Sequence, residues 1–113
     1  MHEASIAQSI LEIVIETAMK NNVSKIKAVN LVIGKLSAVE KDSLTTAYDV
    51  LKEGTIASES VLNVDIIDIK GRCNDCGHET TYDDYYFACK KCGSYNVEIL
   101  EGEELSIKDI EVE

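Results

Sequence analysis

Near the start of the chain, hydrophobic positions recur at helical spacing. Ile6, Ile10, Val14 and Ala18, with Leu11 and Ile13 alongside, share one broad face, while Gln8, Glu12, Glu16 and Lys20 point away from it. Ser5 followed three residues later by Gln8 reads as a capping box, so the helix is predicted to open at Ser5 and to stop at the pair Asn21 and Asn22. Residues 1–4 then form a short free arm that carries the α-amine, the His2 imidazole and the Glu3 carboxylate. Residues 25–33 are a β-rich run (Ile26, Val29, Leu31, Val32, Ile33) without clean alternation, as expected of a strand with both faces at least partly covered, and the run stops at Gly34. A second capping box, Ser37 with Glu40, opens a predicted helix whose Leu44, Ala47 or Tyr48, and Leu51 line one side before Gly54 ends it.

Two more runs show period-two alternation with a break. Residues 61–69 alternate through Leu62, Val64 and Ile66 and then change phase to Ile67 and Ile69; the C-terminal run changes from Leu105 and Ile107 to Ile110 and Val112. A matched break predicts a bulge shared by neighbouring strands. The simplest arrangement pairs these two strands antiparallel, one entering and one leaving an insertion, with Lys70 and Gly71 against Glu101 and Gly102 as the crossing points. The expected fold class is α+β: two helices packed on one face of a three-stranded sheet. Residues 1–69 with 104–113 make up this part, and residues 70–103 are the inserted module.

The insertion holds all four cysteines, spaced C-x2-C-x12-C-x2-C as Cys73, Cys76, Cys89 and Cys92. Each pair is followed by a glycine, Gly77 or Gly93, which tolerates the positive φ of the tight turn needed to aim two sulfurs at one ion. Four thiolates make a closed tetrahedral set that suits Zn(II) and leaves no open position for chemistry, so the site is read as structural zinc in a zinc ribbon of rubredoxin-like knuckles. Two disulfides or a redox pair are the competing readings, and the duplication argues against the redox pair. Between the cysteines the large apolar side chains are Tyr82, Tyr85, Tyr86 and Phe87, too few for an aliphatic core, so the ion is expected to hold the module together.

Composition restricts the partners. The chain of 113 residues is 45% apolar and 28% charged, a globular composition, and carries a formal net charge of -10. That charge argues against a polyanion partner, and within residues 70–96 four basic residues (Lys70, Arg72, Lys90, Lys91) face four acidic ones (Asp75, Glu79, Asp83, Asp84). Neither a signal-peptide pattern nor an apolar run of about 20 residues is present, and cysteines confined to one metal site fit a reducing compartment; a cytoplasmic protein is expected, with no membrane partner. His78 reads as a solvated loop residue, the tyrosines as packing, and Asp83 with Asp84, like Glu101, Glu103 and Glu104, as solvated charge.

Candidate chemistry beyond zinc lies in Met1, His2 and Glu3. The α-amine, the amide nitrogen of His2 once deprotonated, and the His2 imidazole Nδ1 can close fused chelate rings in one plane, with the Glu3 amide or carboxylate as a fourth ligand. Planar nitrogen-rich coordination is preferred by Ni(II) and Cu(II) over Zn(II).

Several motifs then recur together: Met-His-Glu at the start, an amphipathic first helix, Ile33, Gly34, Lys35, Leu36 and Ser37 with Val39 and Glu40, the cysteine pattern ending in Gly93 and Ser94, and the closing Gly102, Glu103, Glu104, Leu105, Ser106 and Ile107 with Ile110, Glu111 and Val112. Together they resemble, end to end, the HypA/HybF family of nickel metallochaperones in [NiFe]-hydrogenase maturation. The resemblance implies that His2, with the Met1 amine and neighbouring amides, binds transferred Ni(II), that Glu3 assists, and that Cys73, Cys76, Cys89 and Cys92 bind Zn(II). It implies as partners a nickel-handling GTPase and the hydrogenase large-subunit precursor, with the chain itself a monomer or weak homodimer. Lys91 stands where many members have proline, which removes a rigid turn but no ligand. No phosphate loop of the form G-x-x-x-x-G-K-S/T accompanies the sites, and no catalysis is expected. The readings left beside this one are a zinc-ribbon protein-interaction adaptor and a transcription-accessory module.

Overall fold

The first helix, α1 (Glu3–Lys20), buries Ala7, Ile10, Leu11, Val14 and Ala18, all but Ala7 from the stripe that the sequence periodicity marks out, while Ile6 of that stripe is half-buried. Ile13 departs from it and is 53% exposed, because it falls at the edge of the face. The helix ends in a Schellman motif: Asn22 takes φ 59, the Val23 N–H donates to the Ala18 carbonyl at 2.9 Å and the Asn22 N–H to Met19 at 3.2 Å. The computed structural model describes residues 3–113. After α1 come β1 (Ile26–Gly34), a 3-10 turn (Lys35–Ser37), α2 (Lys41–Leu51), β2 (Val61–Ile67), β3 (Ile69–Cys73), β4 (Glu79–Tyr82), β5 (Val97–Glu101) and β6 (Leu105–Val112). Among the described residues no helix is long and apolar enough to cross a membrane.

Both helix starts differ from expectation. α1 begins at Glu3 and not at Ser5: the Glu3 carboxylate sits in the first turn, where the positive end of the helix favours it, and accepts the Glu40 N–H at 3.2 Å. Gln8 turns forward to Glu12 Oε1 at 3.3 Å instead of back to Ser5. α2 opens after Glu40, which is the N-cap itself, with its side chain accepting from the Ser43 N–H. Ser37 cannot serve as that cap because its segment is tied elsewhere; Gly34 and Leu36 donate to the carbonyls of Glu104 and Gly102, each at 2.7 Å. A Cβ on Gly34 would lie 2.0 Å from the Gly102 oxygen, so glycine is what lets the two backbones approach this closely.

The chain divides into two compact units, one taking in the chain up to Val32 with Ala38–Asp65 and Ser106–Glu113, the other Ile33–Ser37 with Ile66–Leu105. In the first unit α1 packs against α2, and Leu44 and Tyr48 of α2 join Ile26, Ala28, Val29 and Leu31 of β1 in the core. Burying each large aliphatic side chain stabilises by about 1.5–3 kcal/mol. A polar knot inside is satisfied: the Tyr48 hydroxyl bonds Ser60 Oγ, which donates to the Ala57 carbonyl.

The three-stranded sheet runs β2-β1-β6, which corrects the expected pairing of the strand at 61–69 with the C-terminal one. β1 takes the centre because its burial alternates with almost no exposed position, whereas β2 and β6 are largely exposed, as edges are. The pairing across the entry and exit of the insertion does form, but one sheet later. In the second sheet, ordered β4-β3-β5, Lys70 lies opposite Glu101 and Gly71 opposite Ile99, so the register shifts at Lys70 and Gly71 and Leu100 is the extra residue.

Candidate metal centre

Two matched turns build the centre. In the first, Cys73 ends β3, its N–H donates to the His78 carbonyl at 2.9 Å, and the Gly77 N–H returns to the Cys73 carbonyl at 2.8 Å. In the second, the Cys89 N–H donates to Ser94 at 2.8 Å and the Gly93 N–H returns to Cys89 at 2.8 Å. Gly77 and Gly93 have φ 77 and 78, the left-handed conformation that closes each turn under its sulfurs. β3 and β5 carry the turns towards each other, and the Asn74 N–H donates to the Asn96 carbonyl at 2.9 Å.

All four sulfurs lie within 4.8 Å of one another, with Cys73 to Cys92 and Cys76 to Cys89 both 3.6 Å apart. Sulfurs at about 2.3 Å from a tetrahedral Zn(II) stand about 3.8 Å from each other, so the cluster fits that ion. A disulfide needs about 2.05 Å, and all four cysteines are free. Cys73 and Cys89 are buried while Cys76 and Cys92 face solvent. Without an ion the thiols do not ionise alike. The backbone N–H groups of Cys92 and Lys91, each 3.4 Å from the Cys89 sulfur, hold that thiol down at about 6. The Ser94 N–H favours the Cys92 thiolate, yet the Cys73 thiol beside it, burial and the other two thiols push Cys92 up to about 12. Four negative sulfurs share this space only with a cation among them. Zinc bound there crosslinks the two turns and leaves no position for a substrate.

Sequence reasoning missed the polar clamp outside the sulfurs. Asp75 accepts from Ser94 Oγ across the two turns, and Asn74 Nδ2 donates to Asn96 Oδ1 at 3.2 Å. Asp75 between two cysteines and Ser94 and Asn96 after the last one were the available signal. Among the described residues no other group of three His, Cys, Asp or Glu side chains comes close enough to hold an ion, including Asp83 with Asp84 and the glutamates at 101, 103 and 104.

Of the expected nickel ligands, Met1 and His2 lie outside the described residues. Glu3 is half-buried in the first turn of α1, with its carboxylate on the Glu40 N–H. Glu40, marked in the sequence only as part of a capping box and a family motif, is therefore also a neighbour of Glu3.

A family model described as "Hydrogenase/urease nickel incorporation, metallochaperone, hypA" matches residues 1–112. The chain belongs to the HypA family. Two hydrogenase maturation factors of that family illustrate the extent of the match. The protein of Rhizobium leguminosarum bv. viciae is 39% identical over 112 residues, covering 99% of each chain, and that of Prosthecochloris aestuarii is 41% identical over 113 residues, covering 100% of each. The solution structure of the nickel metallochaperone HypA from Helicobacter pylori is similar in fold, with a TM-score of 0.69 at 31% identity, over 99% of this chain and 97% of that one. The likeness to HypA structures agrees with the α+β class and with the zinc-ribbon character of the cysteine module.

Proposed function

We propose that this chain, a nickel metallochaperone of hydrogenase maturation, takes up Ni(II) at its N-terminus and passes it to a nickel-handling GTPase and the [NiFe]-hydrogenase large-subunit precursor. The observation that carries the reading is the family match through residues 1–112, which spans both the terminus and the four-cysteine centre. Because the thiolate set is closed, zinc is retained there and the transferred metal is left to the other donors, the Met1 amine, His2 and Glu3. The α-amine, the His2 amide and the imidazole each lose a proton to bind, which gives planar nitrogen coordination weak enough in acid to release its cargo.

In this reading residues 1–69 with 104–113 are the nickel-binding domain and residues 70–103 the zinc-binding domain. The chain performs no catalysis, any GTP hydrolysis belonging to the partner, and it works in the cytoplasm as a monomer or weak homodimer without nucleic acid. A Ni(II) titration of zinc-loaded protein, followed by absorption and calorimetry, tests the reading. Wild type is expected to bind about one equivalent with planar-type spectra, while His2→Ala and a variant with one residue added before Met1 lose it. Equal binding by all three would place nickel elsewhere and favour a zinc-ribbon adaptor.

A further inference from the structure

The chain has six aromatic side chains, and only three of them pack. Tyr48 and Tyr82 are buried and Phe87 is half-buried, its ring edge-on to Tyr82 at 5.4 Å. Tyr85, Tyr86 and Tyr95 are instead 69%, 63% and 72% exposed, all on the zinc-ribbon module. Two of them are nonetheless held against each other. Tyr86 and Tyr95 stand edge-to-face at 5.9 Å with their hydroxyls 2.8 Å apart, and the Tyr86 N–H donates to Asp84 Oδ1 at 3.0 Å. Beside Tyr86 a recess of about 290 Å³ opens between Asp83, Asp84, Lys90 and Cys89.

The charge around this platform has a sign. Most nearby cations are engaged: Lys70 with Glu79 at 3.4 Å, Arg72 with Glu98 at 3.0 Å, and Lys90 with the Thr81 carbonyl at 2.9 Å while it lies over the Tyr82 ring; Lys91, which has no carboxylate in ion-pair reach among the described residues, stands between two of the thiolates. Lys35 pairs with Asp68 at 2.7 Å and also faces Asp83. Asp84 has no cation within ion-pair reach among the described residues. Four thiolates around one Zn(II) add two net negative charges, and Cys76 and Cys92 bring that charge to the surface.

We infer that Tyr86 and Tyr95, with Asp84, form a docking surface for an arginine-bearing segment of a partner protein. Tyrosine offers a large contact at small entropic loss and is enriched at binding hot spots. A guanidinium stacks on its face while donating to a carboxylate, which a lysine does less well. The hydroxyl contact and the Asp84 carboxylate hold the pair of Tyr86 and Tyr95 in one arrangement before binding, so little is lost on binding. Nucleic-acid bases also stack on tyrosines, but their phosphates would meet this anionic surround. A second copy would bring the same net charge of -10 against it.

The test uses the full zinc-loaded chain and a fluorescein-labelled peptide of alternating glycine and arginine, read by anisotropy at low salt. The Tyr86→Ala, Tyr95→Ala double variant is expected to bind about tenfold more weakly, whereas the Tyr86→Phe, Tyr95→Phe variant keeps the rings and the affinity. Replacing arginine by lysine in the peptide should weaken binding. Asp84→Asn should weaken it too, while Glu16→Gln, which removes the same charge from α1, should not. Zinc content and far-UV circular dichroism confirm that each variant is folded. Unchanged affinity in the alanine variant, equal effects of Asp84→Asn and Glu16→Gln, or tighter binding of a single-stranded oligonucleotide would each overturn the inference. So would a wild-type dimer that the alanine variant splits.

Discussion

Glu40 joins the starts of both helices. Its backbone N–H is held by the Glu3 carboxylate and its own carboxylate caps α2 through the Ser43 N–H. That N–H, ahead of the Ser43 hydroxyl, holds the Glu40 carboxyl below its ordinary range. A carboxylate with a lowered folded-state pKa adds stability above its unfolded value, about 4.3, and loses it as pH falls through the folded value. Glu40→Ala is therefore expected to lower the denaturation midpoint at pH 7, with faster exchange of the Ser43 amide. The difference from wild type should close as the pH is taken below about 4. A gap that stays constant into acid would mean that the carboxylate is not the cap. At this scale the sequence was only half legible. Asn22 could be read as a stop because few residues but asparagine and glycine accept its φ of 59. The starts were misplaced because Ser5, Ser37, Glu3 and Glu40 can all offer an oxygen to a helix end, and which one does so depends on what the neighbouring segment is tied to.

Elements show the same division between local and distant causes. That β1 is largely covered was readable from its apolar residues, which show no clean alternation, but that this makes it the strand between β2 and β6 involves partners far along the chain. The phase breaks did not mark a shared bulge: the break at 67–69 is where β2 gives way to β3, β2 and β6 are not paired, and the register shift lies between β3 and β5, where Leu100 is accommodated. The four-cysteine centre was legible almost whole, since spacing and glycines alone dictate its turns; its outer clamp was not, because asparagine, serine and aspartate in a loop have many possible partners. The second sheet depends on that centre. Its buried residues are few, Ile69, Gly71, Cys73, Tyr82, Cys89 and Gly102, and two of these are ligands. Stripping the ion by a strong chelator under reducing conditions should therefore abolish amide protection along β3, β4 and β5 while leaving α1 and α2 helical. Nuclear magnetic resonance of labelled protein separates the two sets of amides. Retained protection in β3 after verified zinc loss would show that the small core suffices without the metal.

For the whole molecule, the two metal roles differ in how protons compete with the ion. A net charge of -10 gathers cations of any kind near the surface, which favours encounter but selects no metal and weakens with salt. In the proposed reading, selection and release fall to the donor set at Met1, His2 and Glu3. An unperturbed imidazole titrates near about 6.5 and an α-amine near about 7.8, so both must give up protons to bind Ni(II) across the neutral range. As pH drops below both values, each displaced proton weakens binding by up to about tenfold per unit; the amine and imidazole together approach about a hundredfold between neutral and mildly acidic pH, and the His2 amide proton, displaced at every pH, steepens the fall further. Calorimetry of the zinc-loaded chain between pH 7.5 and about 6, in buffers of different ionisation enthalpy, measures both the affinity and the protons released. The expected result is a steep fall with at least two protons released per Ni(II), and little change in affinity when salt is raised at fixed pH. A flat pH profile would remove the imidazole and the amine from the ligand set. A steep salt dependence with no proton release would reduce nickel binding to the general attraction of an acidic surface, and the terminal arm would lose its role as the place where cargo is held and let go.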